Sequence, residues 1–114
     1  MMDWRQKLLN AARSARHKYN RLSNQAYIDA IDKVTVNDDF DKAFEIALND
    51  IGQRDREITV LYYQGQSSIG IGLRYGISAS RVLQIVHTSA RLLLKGTNIN
   101  LFLSEEDKIK NESA

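Results

Sequence analysis

Arg81, Gln84, Thr88, Arg91 and Lys95 follow one another at spacings of three and four residues. On a helix that spacing aligns them in one stripe. Ser78, Ala79, Ser80, Leu83, Gln84 and His87 cluster at the N-terminal end of the same stretch. The chemistry open to such a set is recognition of a nucleic-acid duplex. A glutamine such as Gln84 can pair with an adenine edge, a serine such as Ser80 can bond a base or a phosphate, and Ala79 or Leu83 can touch a thymine methyl. Arg81, Arg91 and Lys95 suit phosphates, which fix register without reading sequence. Ser67, Ser68 and Arg74, just upstream, complete the candidate DNA-binding set. Leu83 reads equally well as a residue buried against the preceding helix or against a partner.

Other chemistries are poorly served. There is no cysteine, which excludes disulfides, thiolate catalysis and cysteine-ligated zinc. His17 and His87 fall on different predicted helices, with no carboxylate at ligand or relay spacing, so neither a metal site nor a catalytic pair is expected. Asp38, Asp39 and Asp41 lack the following glycine and terminal glutamate of a calcium loop and read better as charges favouring a helix start. The glycines between Gly70 and Gly76 have no strand before them, so a nucleotide-cradling loop is unsupported. An enzyme is not expected, and no metal or cofactor is implied.

The chain has 114 residues, enough for one small helical core. Its hydrophobic content of 43% and charged content of 26% are those of an ordinary globular protein. No stretch approaches the roughly 18 consecutive apolar residues of a membrane span, and the first ten residues lack a secretory apolar run. A cytoplasmic chain without a membrane partner is expected. The absence of proline, with six glycines as punctuation, favours a mostly helical chain. The net charge of +2 conceals segregation: residues 1 to 28 carry a balance of +5, residues 29 to 57 of −5, residues 58 to 96 of +4 and the tail of −2. From Ile58 to Gly96 there are 39 residues and no acid, which suits a surface approaching phosphates.

The elements that must hold the candidate residues can be read from spacing. Counting Ser68 as the first position, Gly72 is fifth and Gly76 ninth, while Ile71, Tyr75, Ile77, Val82 and Ile85 occupy positions four, eight, ten, fifteen and eighteen. This is the spacing of a helix-turn-helix: a small residue where two helices cross, a glycine able to take positive φ in the turn, and apolar residues closing the core beneath. Ser67 is expected to cap the first of these helices and Ser78 the second, which runs to Lys95 and stops at Gly96.

Upstream, Trp4, Leu8, Ala11, Ala15, Tyr19 and Leu22 predict an amphipathic helix over residues 3 to 22. Its other face, Arg5, Arg13, Arg16, His17 and Arg21, is either a second phosphate-contacting arm or a solvated surface. Ser23 or Asn24 can cap a second helix through Ile28, Ile31 and Val34, and Asn37 or Asp38 a third. The third runs to about Ile51, with Phe40, Phe44, Ala47, Leu48 and Ile51 inward and Asp39, Asp41, Lys42 and Glu45 outward. Gly52 ends it. A fourth helix from about Arg54 to Gln64 buries Ile58, Leu61 and Tyr62, and Gly65 breaks the chain again. The tail carries an apolar cluster, Ile99, Leu101, Phe102 and Leu103, that packs onto the domain or onto a partner, and a capping-box pattern from Ser104 to Asp107.

Arg56-Glu57, Val60-Leu61, Tyr62-Tyr63, Ser67, Ile71, Tyr75-Gly76-Ile77-Ser78, Arg81-Val82 and Gln84-Ile85 together resemble region 4 of bacterial sigma factors of the main family, over roughly residues 40 to 95. The same pattern occurs in stand-alone sigma-like regulators of phages and mobile elements. The resemblance implies a helical module whose last helix reads the upstream promoter element and whose first helices grip RNA polymerase. The family's recognition helix usually opens with arginine and glutamate, where this chain has Ala79 and Ser80. The resemblance therefore covers the scaffold better than the reading residues. Nor can the roughly 40 preceding residues hold a strand-opening domain, so initiation of transcription by this chain alone is not expected.

The expected architecture is all-α: an N-terminal helical extension over 1–37, a sigma region 4-like helix-turn-helix domain over 38–96 and a tail over 97–114. The expected function is sequence-specific binding of double-stranded DNA in transcription regulation at promoters, with RNA polymerase a candidate partner. The rival is a protein-interaction module that binds RNA polymerase or a sigma factor without reading DNA. A homodimer is compatible, with Trp4 and the first-helix stripe as interface, although that stripe could equally cover the domain's own core.

Overall fold

The computed structural model describes residues 3–19 and 25–109. Its elements are α1 (Trp4–Tyr19), α2 (Gln25–Ile31), α3 (Phe40–Ala47), α4 (Gln53–Tyr63), α5 (Ser68–Tyr75) and α6 (Ala79–Leu93), followed by a 3-10 helix (Gly96–Phe102). No strand occurs among the described residues.

The last long helix, α6, is the central element and packs on α1, α4 and α5. Its sequence explains why: Val82, Ile85, Val86, Ser89, Ala90 and Leu93 recur at helical spacing and are all buried. Two apolar clusters meet along it. The first half of α6 closes over Ile58 and Ile71, with Leu61, Tyr62, Tyr63, Tyr75 and Ile77 around them. The second half joins a larger core that includes Leu8, Leu9, Ile31, Phe40, Leu48, Ile99 and Phe102. Each such side chain removed from water contributes about 1.5 to 3 kcal/mol before entropy is counted. The tail thus packs back onto its own domain: Phe102 lies 5.3 Å from Phe40, ring centre to ring centre.

The first helix departs from expectation. Its buried face is Leu8, Leu9 and Ala12, with Ala11 only half-buried, and so is rotated from the stripe through Ala11 and Ala15. The phase is set by the paired leucines, which bury more apolar area than alanines can. Leu22 lies outside the described residues. Trp4 meets Phe40 and Phe44 edge-on, at 6.1 and 5.8 Å, and so helps cover its own core.

Several residues of the basic face of α1 have partners within the protein. Arg5 donates to both Asp41 oxygens, at 2.6 and 2.7 Å, and to Asp3 at 3.0 Å. Arg13 donates to the carbonyls of Ile31 at 3.2 Å and Val34 at 2.5 Å, tying off the end of α2. Arg16 is buried, and its Nε has no partner among the described residues. His17 Nε2 lies 3.1 Å from Asp32 Oδ1, a carboxylate that sequence spacing did not place beside it. Asp32 follows directly on α2, which is in contact with α1. Arg21, Ser23 and Asn24 lie outside the described residues.

Helix boundaries also shift for local reasons. α2 stops at Ile31, and Val34 is buried in the segment that follows. Asn37 accepts a bond from the Asp39 N–H at 2.9 Å, an Asx turn just ahead of α3, while Asp39 occupies the N-cap position without a side-chain bond. α3 ends at Ala47, short of Ile51. The carbonyls of Leu48 and Ile51, beyond the end of α3, accept from Arg56 Nη1 at 3.3 and 2.7 Å, so a side chain from α4 helps satisfy the backbone past the helix end. In α4 the fully buried residues are Ile58 and Thr59, with Leu61 and Tyr62 only half-buried. Ser104 bonds the Asp107 carboxylate at 3.0 Å and makes one turn that does not continue as a helix.

Candidate nucleic-acid interface

The candidate face is held by two short helices and the tight turn Gly76-Ile77-Ser78 between them. Ser67 Oγ accepts from the Gly70 N–H and Ser78 Oγ from the Arg81 N–H, each at 3.0 Å, so both N-termini are capped as expected. Gly76 adopts φ +70°, the left-handed conformation that ends α5. The Ile77 N–H donates to the Gly72 carbonyl at 2.9 Å. A Cβ on residue 72 would lie 2.5 Å from the Ile77 carbonyl oxygen, so only glycine lets α5 approach the turn this closely. Beneath the turn, Ile71, Tyr75, Ile77, Val82 and Ile85 belong to one apolar cluster.

A buried polar contact ties α6 to α4 from behind. Thr59 and Ser89 are both buried; the Thr59 hydroxyl lies 2.8 Å from the Asp55 carbonyl oxygen and 2.9 Å from Ser89 Oγ. Each hydroxyl therefore has a partner, which a desolvated polar group requires.

With its inner side fixed, α6 turns a polar face outward. Ser80, Arg81, Gln84, His87 and Arg91 are exposed, as are Ser78 at its start and Lys95 beyond its end. Ser80, Gln84, His87 and Arg91 follow each other at four, three and four residues and share one stripe. Arg81 Nη1 lies 3.4 Å from Gln84 Oε1, a long contact that leaves the Gln84 amide N–H groups for another acceptor. Ala79, Leu83 and Thr88 are half-buried along the edge of this face. Leu83 is thus neither a full core residue nor a freely exposed one. Among the described residues, neither Arg81 nor Lys95 is paired with a carboxylate.

The α5 candidates divide. Ser67 is exposed beside the turn and Ser68 is half-buried. Arg74 is exposed and sits over the Tyr75 ring at 5.8 Å, but it lines a different groove, shared with Glu45, Arg56 and Glu57, to which α6 contributes nothing. There Tyr75 donates to Glu57 at 3.2 Å, and burial first, then that carboxylate, raise the Tyr75 hydroxyl above the usual phenol range. Arg74 is therefore separated from the α6 stripe and has acids for neighbours.

Two features escaped sequence reading. Ile69 and Leu73, one turn apart on α5, are 67% and 81% exposed. Their spacing places them opposite the buried Ile71, a signal that the helix phase contained. The groove between α1 and α6, lined by Ser14, Lys18, Tyr63, His87 and Arg91, had no comparable signal, because it depends on how distant helices meet.

No known family model, curated protein or solved structure matches the chain. Among the described residues, no three His, Cys, Asp or Glu side chains are grouped to hold a metal ion, and no helix is long and apolar enough to cross a membrane.

Proposed function

We propose that this chain is a sequence-specific, DNA-binding transcription regulator of sigma region 4 type, acting on double-stranded DNA at promoters, where it recruits or blocks RNA polymerase. It works by binding and not by catalysis. In this reading α5 and α6 form the helix-turn-helix, and α6 enters the major groove, which is wide enough to accept a helix. The observation that carries the reading is the exposed stripe Ser80, Gln84, His87 and Arg91 on a helix whose opposite side is locked to α1, α4 and α5, within a stretch of 39 residues free of acid. Gln84 and Ser80 suit base edges, while Arg81, Arg91 and Lys95 suit phosphates. Selection of duplexes from a random pool, followed by binding at increasing salt, tests it: an enriched sequence and a falling affinity support it, and neither would sink it.

A second reading has its own support. Ile69 and Leu73 form an exposed apolar pair on α5, and Ala79 and Ser80 stand where the sigma family usually carries its arginine and glutamate. Both features favour a module that binds RNA polymerase or a sigma factor without reading DNA. Loss of polymerase co-purification on Leu73→Ser, from a chain that selects no DNA sequence, would favour this alternative.

A further inference from the structure

The groove between α1 and α6 has a volume of about 300 Å³, and its rim carries Lys18 and Ser14 from α1 and His87 and Arg91 from α6. Tyr63 of α4 forms part of its wall. All four rim residues are exposed. No acid occurs in α1, in α6 or in α4 from Ile58 onward, so every segment that lines the groove is free of carboxylate. Ala11, Ala15 and Ala90 line it with small side chains, which keep it open. Burial and the neighbouring Tyr62 raise the Tyr63 hydroxyl above the usual phenol range, so it remains a hydrogen-bond donor. An ammonium offers three N–H donors and a guanidinium five, more than one internal contact consumes.

We infer that this groove is a second contact site for DNA, a subsite for one backbone phosphate of the duplex that α6 reads, with Lys18 and Ser14 on one side and Arg91 and His87 on the other. The inference rests on the DNA-binding reading above. Its geometry follows from the α6 stripe: from Gln84 to Arg91 the helix rises about 10 Å at 1.5 Å per residue. A helix whose N-terminal residues meet base edges carries residues two turns further on out of a groove about 8.5 Å deep, so Gln84 at the bases leaves Arg91 near the flanking backbone. α1 then meets the phosphate from the other side. The phosphate contact of α1 falls on Lys18 and Ser14 because these two line the groove, whereas Arg5, Arg13 and His17 do not.

The test compares the intact chain with Lys18→Gln, Lys18→Arg, Ser14→Glu and Lys7→Gln, an exposed cation on α1 that does not line the groove. Affinity for the selected duplex is measured by fluorescence anisotropy between about 50 and 200 mM salt. One lost phosphate contact lowers the slope of log affinity against log salt by about 0.9, so the advantage of the parent over Lys18→Gln shrinks about threefold across that range. Lys18→Arg restores the parent slope, Ser14→Glu weakens binding, and Lys7→Gln matches the parent, all with sequence preference unchanged. An unchanged slope in Lys18→Gln, or equal losses from Lys7→Gln and Lys18→Gln, would overturn the subsite while leaving the recognition helix standing. Failure of the parent chain to bind any duplex would overturn both.

Discussion

Gly72 and Ile77 are locked together on two sides: the Ile77 N–H donates to the Gly72 carbonyl at 2.9 Å, and the Ile77 carbonyl oxygen fills the space a Cβ on residue 72 would need, at 2.5 Å. Because the obstructing atom is backbone, it cannot swing aside as a flexible side chain would. Gly72→Ala is therefore expected to destabilise the fold by about 2 kcal/mol or more, despite alanine's better helix propensity. Urea unfolding measures this; a cost below about 0.5 kcal/mol would mean that α5 and the turn are not held at this distance.

The Thr59–Ser89 contact predicts non-additive energetics. Thr59→Val leaves a buried Ser89 hydroxyl without its partner, and the cost expected is about 1 to 3 kcal/mol. Adding Ser89→Ala removes the orphan, so the double variant should cost at least about 0.5 kcal/mol less than the two single changes summed. A double-mutant cycle by chemical denaturation checks it, and strict additivity would contradict the contact.

The Arg5–Asp41 pair joins α1 to α3 and carries a pH signature. Its bonds to Arg5 hold the Asp41 carboxyl below the usual carboxylate range. A carboxyl whose native pKa lies below its unfolded value of about 4 contributes stability that is complete above that value and is lost as pH falls through the native one. The pair is largely exposed, so Asp41→Asn should cost under about 1 kcal/mol at neutral pH. That difference should vanish in acid, at a pH below the ordinary aspartate range. Unfolding midpoints of the two proteins across pH 2 to 7 test this, and a pH-independent gap would contradict it.

Much of this was legible in the residues because local rules coincide with tertiary ones in α5 and α6. The serine caps, Gly76 in the left-handed turn and the inward phase of Val82 and Ile85 all appear where spacing put them. The phase of α1 was only partly legible: Leu8 is buried as its spacing implied, but the stripe through Ala11 and Ala15 missed Leu9 and Ala12, which packing selects. Arg5 and Arg13 read as either a phosphate-contacting arm or a solvated surface because their partners lie 36, and 18 or 21, residues away, at separations that helical periodicity does not describe. On the candidate face, spacing aligned Arg81, Gln84, Thr88, Arg91 and Lys95, of which Thr88 is half-buried, while the separation of Arg74 from α6 and the groove behind His87 were not legible. Both depend on how helices distant in sequence are juxtaposed.

Leu73 is exposed on α5, and its side chain adds little to the core. Leu73→Ser should leave stability within about 0.5 kcal/mol of the parent and DNA affinity unchanged. Thermal unfolding together with duplex binding reads both, and a marked loss of stability would show that α5 packs differently.

The most direct measurement is equilibrium binding of the chain to its selected duplex and to single-base variants of it, across a salt series. The recognition-helix account predicts log affinity falling linearly with log salt, by about 0.9 per phosphate neutralised. It also predicts that Gln84→Ala relaxes preference at one base pair by about 1 to 3 kcal/mol, while Arg81→Gln weakens all sequences alike. Salt-independent binding, or a Gln84→Ala variant as selective as the parent, would contradict the assignment of α6 as the helix that reads DNA.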